Sequence, residues 1–238
     1  MQPIYKRIII KLSGESLADT KNSTILDKEK LSRIAEVIQS IHDLGVEIGV
    51  VVGAGNIWRG RLASTIGIEP STADYMGMLG TIMNGLAVQS AVEERGLRCR
   101  VMSSINVPQV CEPYIRRKAL SHLGKGIVTI FAGGTGNPYF TTDTNASLRA
   151  LELNVDAILM AKNGADGVYD SDPKTNPNAK MFESITFGEV VSRKLGVMDL
   201  TAAAMLDGKN VVVRVYNAND PENFKRVVMG EKVGTIIK

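Results

Sequence analysis

Short apolar runs rich in β-branched side chains recur along the chain: RIIIKL, EIGVVVG, CRVMSS, GIVTIFA, DAILMA, NVVVRV and VGTIIK. Runs of this kind predict strands that are apolar on both faces, as parallel strands covered by helices above and below must be. Between them helical periodicity takes over. It is clearest from Asp27 to Leu44, where Ile34, Val37, Ile38, Ile41 and Leu44 recur at three- and four-residue steps with charges opposite. Asp27 stands where an N-cap belongs and Gly45 where a C′ residue belongs. The alternation of strand and helix predicts the α/β class, with an open, mainly parallel sheet and ligands held beyond the carboxyl ends of the strands.

A second long helix is predicted around YMGMLGTIMNGLAVQSAV, which carries Gly77, Gly80 and Gly85. Each glycine costs about 1 kcal/mol relative to alanine in an exposed helix interior, so the cluster implies close packing, against the sheet or against another subunit. The stretch YDSDPKTNPNAKMF, with Pro173 and Pro177, is the one long irregular segment. It divides a single domain, 1–238, into a first part over roughly 1–160 and a second over 161–238.

Composition narrows the function more by exclusion than by assignment. A net charge of +3, from 28 Lys and Arg against 25 Asp and Glu, is too small and too dispersed for a nucleic-acid-binding face. The two cysteines, Cys99 and Cys111, and the two histidines, His42 and His122, give neither a disulfide framework nor a zinc site. No apolar stretch approaches the roughly 18 to 20 residues of a membrane span, which leads to the expectation of a cytoplasmic protein with no membrane partner.

Four turns that follow apolar strands are rich in Gly, Ser, Thr, Asn or Lys: KLSGES, VVGAGNIWRG, FAGGTGNPYFTTD and MAKNGADGVYDSDP. Together they suggest backbone N–H groups aimed at a phosphate-rich ligand. VGAGNIW begins like a dinucleotide fingerprint but has Trp58 where a third glycine is needed, and no P-loop GxxxxGK[ST] occurs. Phosphoryl transfer needs cations, N–H donors and carboxylates. The chain offers Lys11, Arg59, Asp74, Asp143, Asp172 and Asp199 at or near loop ends, and no competing Ser-His-Asp or Cys-His set.

KLSGES, GAGNIWRG, DYMGMLGTIMNGLA, GGTGNPYFTTDTNA, DGVYDSDP, VMDL and RVVMGEKVGTII, in this order, resemble the successive signatures of the bacterial UMP kinases within the amino acid kinase family. DGVYDSDPKTNPNAK is shared in kind with aspartate, glutamate and acetylglutamate kinases, whereas DYMGMLGTIMNGLA with TGNPYFTTD is specific to UMP kinases. The resemblance implies a three-layer αβα sandwich, assembly as a homohexamer, and transfer of the ATP γ-phosphoryl group to UMP with Mg²⁺. It implies catalytic roles for Lys11, Asp143 and Asp199, and ATP contacts from Lys11, Ser13, Gly14, Gly55, Arg59, Asn163, Tyr169 and Asp172. It places UMP against Gly53, Ala54, Arg59, Asp74, Thr135, Gly136, Asn137, Phe140 and Thr142, and assigns no direct protein ligand to the metal. On this resemblance the first part of the chain binds UMP and the second ATP.

Plainer readings stand beside these. Asp74, Asp143 and Asp199 suit helix caps, Arg59 a helix-end salt bridge, Asp172 a turn, Tyr169 packing, and Lys162 a solvated position outside the catalytic set. The sequence also departs from the family. Ala54 stands where a third consecutive glycine is common, and Gly164 where a longer basic side chain is common. ADTKNSTILD and Ile127 replace a glycine- and phenylalanine-containing loop and an arginine that accompany GTP activation, leaving Arg100 as the remaining allosteric candidate. Weak or absent GTP activation is therefore expected, with UTP as an inhibitor. The competing functions are a non-catalytic nucleotide sensor on the same fold and a kinase of a small carboxylate.

Overall fold

The computed structural model describes residues 2–19, 22–162, 164–173 and 175–238. In chain order its elements begin with β1 (Arg7–Leu12), α1 (Lys28–His42), β2 (Glu47–Val52), α2 (Pro70–Glu94), β3 (Cys99–Ser103), β4 (Glu112–Pro113), α3 (Arg116–Gly124) and β5 (Val128–Ala132). They continue with α4 (Thr142–Glu152), β6 (Ala157–Lys162), β7 (Ser184–Ile185), α5 (Phe187–Ser192), α6 (Leu200–Leu206), β8 (Val212–Asn217), α7 (Glu222–Val228) and β9 (Thr235–Ile237). Every apolar run named above forms a strand. β4 and β7 were not predicted, because two residues are too few to show a period and their pairing comes from β3 and β9.

The strands form one nine-stranded sheet in the order β4-β3-β5-β2-β1-β6-β8-β9-β7. All pairs are parallel except β8 with β9. The expected mainly parallel three-layer sandwich is what forms, with β1 near the middle.

Strand alternation distributes side chains to two cores. Ile8, Ile10 and Leu12 of β1 join Ile48, Val50 and Val52 of β2 against Val37 and Ile38 of α1, Val88 of α2 and Val227 of α7. Ile9, Val51, Ile158 and Met160 point the other way, against Ala119 of α3, Ala146 of α4, Val190 of α5 and Ala203 of α6. Lys11 continues the row of Ile9, and Lys162 continues the row of Ile158 and Met160. Both lysines thus leave the sheet on the side of α4.

Asp27 caps α1 as expected, its Oδ1 accepting from Lys30 N at 2.9 Å. The helix ends at His42 with Asp43 as its C-cap, so Gly45, with φ +81°, turns the chain one position later than the C′ place expected of it. The glycines of α2 serve packing within the chain. A Cβ on Gly80 would lie 2.9 Å from Ala54 Cβ, and one on Gly85 3.4 Å from Ile130 and Val101. Among the described residues no helix is long and apolar enough to cross a membrane.

Candidate active site

The site grows from the carboxyl ends of β1, β2 and β6. Thr141 caps α4 by accepting from Asp143 N at 3.1 Å and Thr144 N at 3.3 Å, so Asp143 sits in the first turn, where the helix dipole favours a carboxylate. Its Oδ1 lies 2.9 Å from Lys11 Nζ, with 16% and 15% of the lysine and aspartate side chains exposed. That oxygen has no aligned hydrogen bond, so the contact with Lys11 is one of charge.

Lys162, expected as a solvated position, is half-buried beside this pair. Its Nζ donates to Val197 O at 2.7 Å. Burial pushes its pKa down, the nearby Lys11 ammonium pushes it further, and Asp143 opposes both. The alternation Ile158, Met160, Lys162 was the signal for this position, but only the neighbouring strand shows that it reaches Lys11.

The first two glycine turns interlock. A Cβ on Gly14 would lie 2.7 Å from both Gly53 O and Gly55 N. Asn84, fully buried in α2, donates from Nδ2 to Gly53 O at 2.8 Å and exchanges amide hydrogen bonds with Asn56 at 2.8 and 3.0 Å. A polar residue inside a glycine-rich apolar helix was the available signal for Asn84. Ala54 is not among the residues with positive φ, and its methyl fills the space that Gly80 leaves open. Arg59 spans the turn, with Nη2 2.6 Å from Glu15 Oε1 and Nε donating to Gly55 O at 3.2 Å.

A cavity of about 240 Å³ opens between α2, the turn after β2 and the start of α4. Ala54, Gly55, Asp74, Phe140 and Thr142 line it, while Gly53, Thr135, Gly136 and Asn137 lie outside its wall. Asp74 is not a cap, since Glu69 occupies that position of α2. Its Oδ2 accepts from Tyr139 N at 2.7 Å, holding Tyr139 at φ +70°, an uncommon conformation for a non-glycine residue. Thr81 Oγ1 accepts from Gly133 N at 2.8 Å and so ties α2 to the glycine turn after β5. Thr135 Oγ1 donates to Asn137 O at 3.0 Å, which closes that turn on itself.

A larger cavity of about 570 Å³ lies on the other side of Lys11, between α1 and α7, and is lined by Ser13, Lys30, Arg33, Lys162 and Asn219 among others. Tyr169 and Asp172 are not in its wall. Tyr169 is half-buried and bridges Met181 through the backbone, and Asp172 O accepts from Thr175 N at 3.1 Å and Asn176 N at 2.8 Å, which shapes the turn. Asn163 lies outside the described residues, as do residues 20 and 21 of ADTKNSTILD. Gly164 has φ +75°, a conformation that favours glycine over the longer side chain.

Asp199 caps α6, accepting from Ala202 N at 2.8 Å, and also accepts from the hydroxyls of Thr141 and of Thr144, the latter at 3.0 Å. It therefore ties the start of α6 to the N-terminus of α4 that carries Asp143. Arg100, at the start of β3, makes ion pairs with Glu93 at 3.4 Å and Glu112 at 3.7 Å, and Ile127 is buried just before β5.

The chain is 48% identical over 234 residues to a uridylate kinase of Pediococcus pentosaceus, covering 98% of this chain and 97% of that one. Its structure is similar to that of a UMP kinase from Bacillus anthracis, with TM-score 0.95, 44% identity and coverage of 98% and 96%. It is also similar to a UMP kinase from Ureaplasma parvum, with TM-score 0.93, 40% identity and full coverage of both chains, 100% each. A family model matches residues 6–217, from the strand that carries Lys11 to the end of β8, and on these grounds the chain belongs to the amino acid kinase family.

Proposed function

We infer that this chain is a UMP kinase, which transfers the γ-phosphoryl group of ATP to UMP to give UDP and ADP in pyrimidine nucleotide synthesis. The observation that carries the reading is that Lys11, paired with Asp143 at 2.9 Å, and Lys162 both line the larger cavity, while Thr142, next to Asp143, lines the cavity that holds Asp74. The likeness to UMP kinases over 98% of the chain supports it.

Phosphoryl transfer spreads negative charge over the transferred group, and catalysis consists largely of positioning and charge offset. In this reading Lys11 and Lys162 supply the offset, Asp143 aims Lys11, and Asp199 holds α4 in place. Ser13, Gly14, Gly55 and Arg59 surround the phosphates. Asp74 accepts from the ribose hydroxyls of UMP, and Phe140 and Thr142 face its base. UMP thus belongs to the first part of the chain, while the larger cavity, offered to ATP, draws on both, with Ser13, Lys30 and Arg33 from the first part and Lys162 and Asn219 from the second. Asp143, beside Lys11 at the start of α4, is the carboxylate that would face a Mg²⁺ carried mainly by nucleotide phosphates. Bound there, Mg²⁺ would neutralise charge on those phosphates.

Homohexamer assembly, inhibition by UTP and a weak or absent GTP response, given Ile127 and the engaged Arg100, complete the proposal. The test is ADP release from Mg-ATP with UMP, CMP, dTMP, GMP, aspartate, glutamate and acetylglutamate, with and without GTP. Turnover with UMP, unchanged by GTP, is expected. Turnover with a carboxylate instead, or UMP binding without turnover, would overturn it.

A further inference from the structure

Arg149, in the second half of α4, is 4% exposed. Its Nη1 lies 2.5 Å from Glu152 Oε2, and its guanidinium lies over the ring of Tyr114, 3.8 Å from the ring centre. The Tyr114 hydroxyl donates to the same Glu152 oxygen at 2.5 Å, and Tyr114 N donates to Ser103 O at 2.8 Å, so the pair is anchored to the sheet. The other terminal nitrogen, Nη2, donates to Ser104 Oγ at 2.8 Å. Desolvating a guanidinium is costly, and exchanging a buried ion pair for apolar side chains often leaves stability unchanged or higher. Stability alone therefore does not account for an arginine here.

The far side of Ser104 supplies another account. Ser104 Oγ donates to Gly134 O at 2.9 Å, and Ser104 N donates to Ala132 O at 3.1 Å. Gly133, Gly134 and Gly136 have φ of +74°, +56° and +82°, so the turn after β5 is built from residues that lose the most freedom on ordering and need holding. A Cβ on Gly136 would lie 3.2 Å from Ser104 O and 3.3 Å from Ser104 Cβ, which puts the turn directly on Ser104. Thr81 already ties this turn to α2 at Gly133 N, and Ser104 with Arg149 ties it to α4 one residue later. Gly134 and Thr142 both line the 240 Å³ cavity, one from the turn and one from α4. We propose that Arg149 is a positioning residue for the acceptor nucleotide: through the Ser104 hydroxyl it holds the glycine turn after β5 against α4 and so fixes the spacing of these two walls. Arginine suits the task because its planar fork serves Glu152 and Ser104 at once. The inference rests on the UMP kinase reading and adds to it a residue that acts on UMP without touching it.

The experiment measures steady-state kinetics with Mg-ATP and UMP, and thermal unfolding, for the full-length protein, Ser104→Ala, Arg149→Met and the double variant. Ser104→Ala deletes the relaying hydroxyl and keeps the Arg149–Glu152 pair. The KM for UMP should rise about tenfold in each single variant, with kcat and the KM for ATP within about twofold of the parent, because the cavity wall is what moves. In the double variant it should be no higher than in the worse single one, since both residues act along one path. An arginine that served stability alone would lower the melting temperature of Arg149→Met and leave the KM for UMP unchanged; that result, or additive KM effects in the double variant, would overturn the inference. An unchanged KM in Ser104→Ala would overturn it as well, even where Arg149→Met fails to fold. Absence of UMP turnover by the parent protein would instead overturn the UMP kinase reading.

Discussion

In the proposed reaction, Lys11 and its partner Asp143 carry the chemistry at the scale of single residues. Lys11→Met removes a charge whose interaction grows as the phosphoryl group transfers, so kcat should fall about a hundredfold, equivalent to about 2.7 kcal/mol, with a modest change in UMP binding. Steady-state kinetics with both substrates varied checks this, and near-parental kcat would remove Lys11 from the mechanism. A second prediction concerns Ala54 and Gly80, whose complementarity is steric. The 2.9 Å approach of a Cβ on Gly80 to Ala54 Cβ implies overpacking in Gly80→Ala, partly offset by better helix propensity, for a net loss of about 1 kcal/mol. The double variant Ala54→Gly/Gly80→Ala exchanges which residue carries the methyl and should recover most of that loss in denaturant unfolding.

Among the elements, the N-terminus of α4 organises the site. It presents Asp143 to Lys11 and Thr142 to the cavity, and it is held from behind by Asp199 through Thr141 and Thr144. Asp199→Ala loses the cap of α6 and leaves two hydroxyls without their acceptor, a cost of about 1 to 2 kcal/mol. It should lower kcat more than it raises the KM for UMP, because the displaced group is Asp143 rather than the cavity wall. Asp199→Asn keeps an acceptor oxygen and should restore much of both stability and kcat. Equal loss in the Asn and Ala variants would show that charge, not the cap, is what matters. The glycines of α2 act at the same scale, since they let that helix approach the turn after β2 and the sheet closely enough for Asn84 to hold Gly53 O.

One continuous sheet carries both halves of the site, so the stability of the whole molecule bears on its function. Burial raises the Cys99 pKa from 9.0 to about 12 and holds Tyr114 and Tyr216 above the usual 10.0. The folded state therefore keeps protons that the unfolded chain releases. Stability from these groups is complete below pH 9.0 and is lost progressively as the pH rises from there toward 12. Lys162 works in the opposite sense, because its lowered pKa makes the unfolded chain the better proton binder up to 10.5. Burial raises the Cys111 thiol in the same sense, so with four groups against one, unfolding midpoints in denaturant should fall from about pH 9 to pH 11. Cys99→Val should flatten the first part of that fall, and an unchanged slope would exclude Cys99 as its source.

Whatever depends on near neighbours was legible along the chain. The apolar runs marked seven of the nine strands, Asp27 marked the start of α1, and the glycine turns after β1, β2 and β5 marked loops that line the two cavities. Alternation and capping are local, so a single segment carries the whole signal. Tertiary structure alone decided what depends on distant segments meeting. β4 and β7 exist only through their partners, and β9 runs antiparallel because of how the chain returns to β8. Lys162 joins Lys11 because β6 lies beside β1, and Asp74 meets Tyr139 N rather than capping α2. No window of sequence contains both members of such a contact, and the charge, burial and hydrogen bonding that give these residues their chemistry arise only when the sheet brings them together.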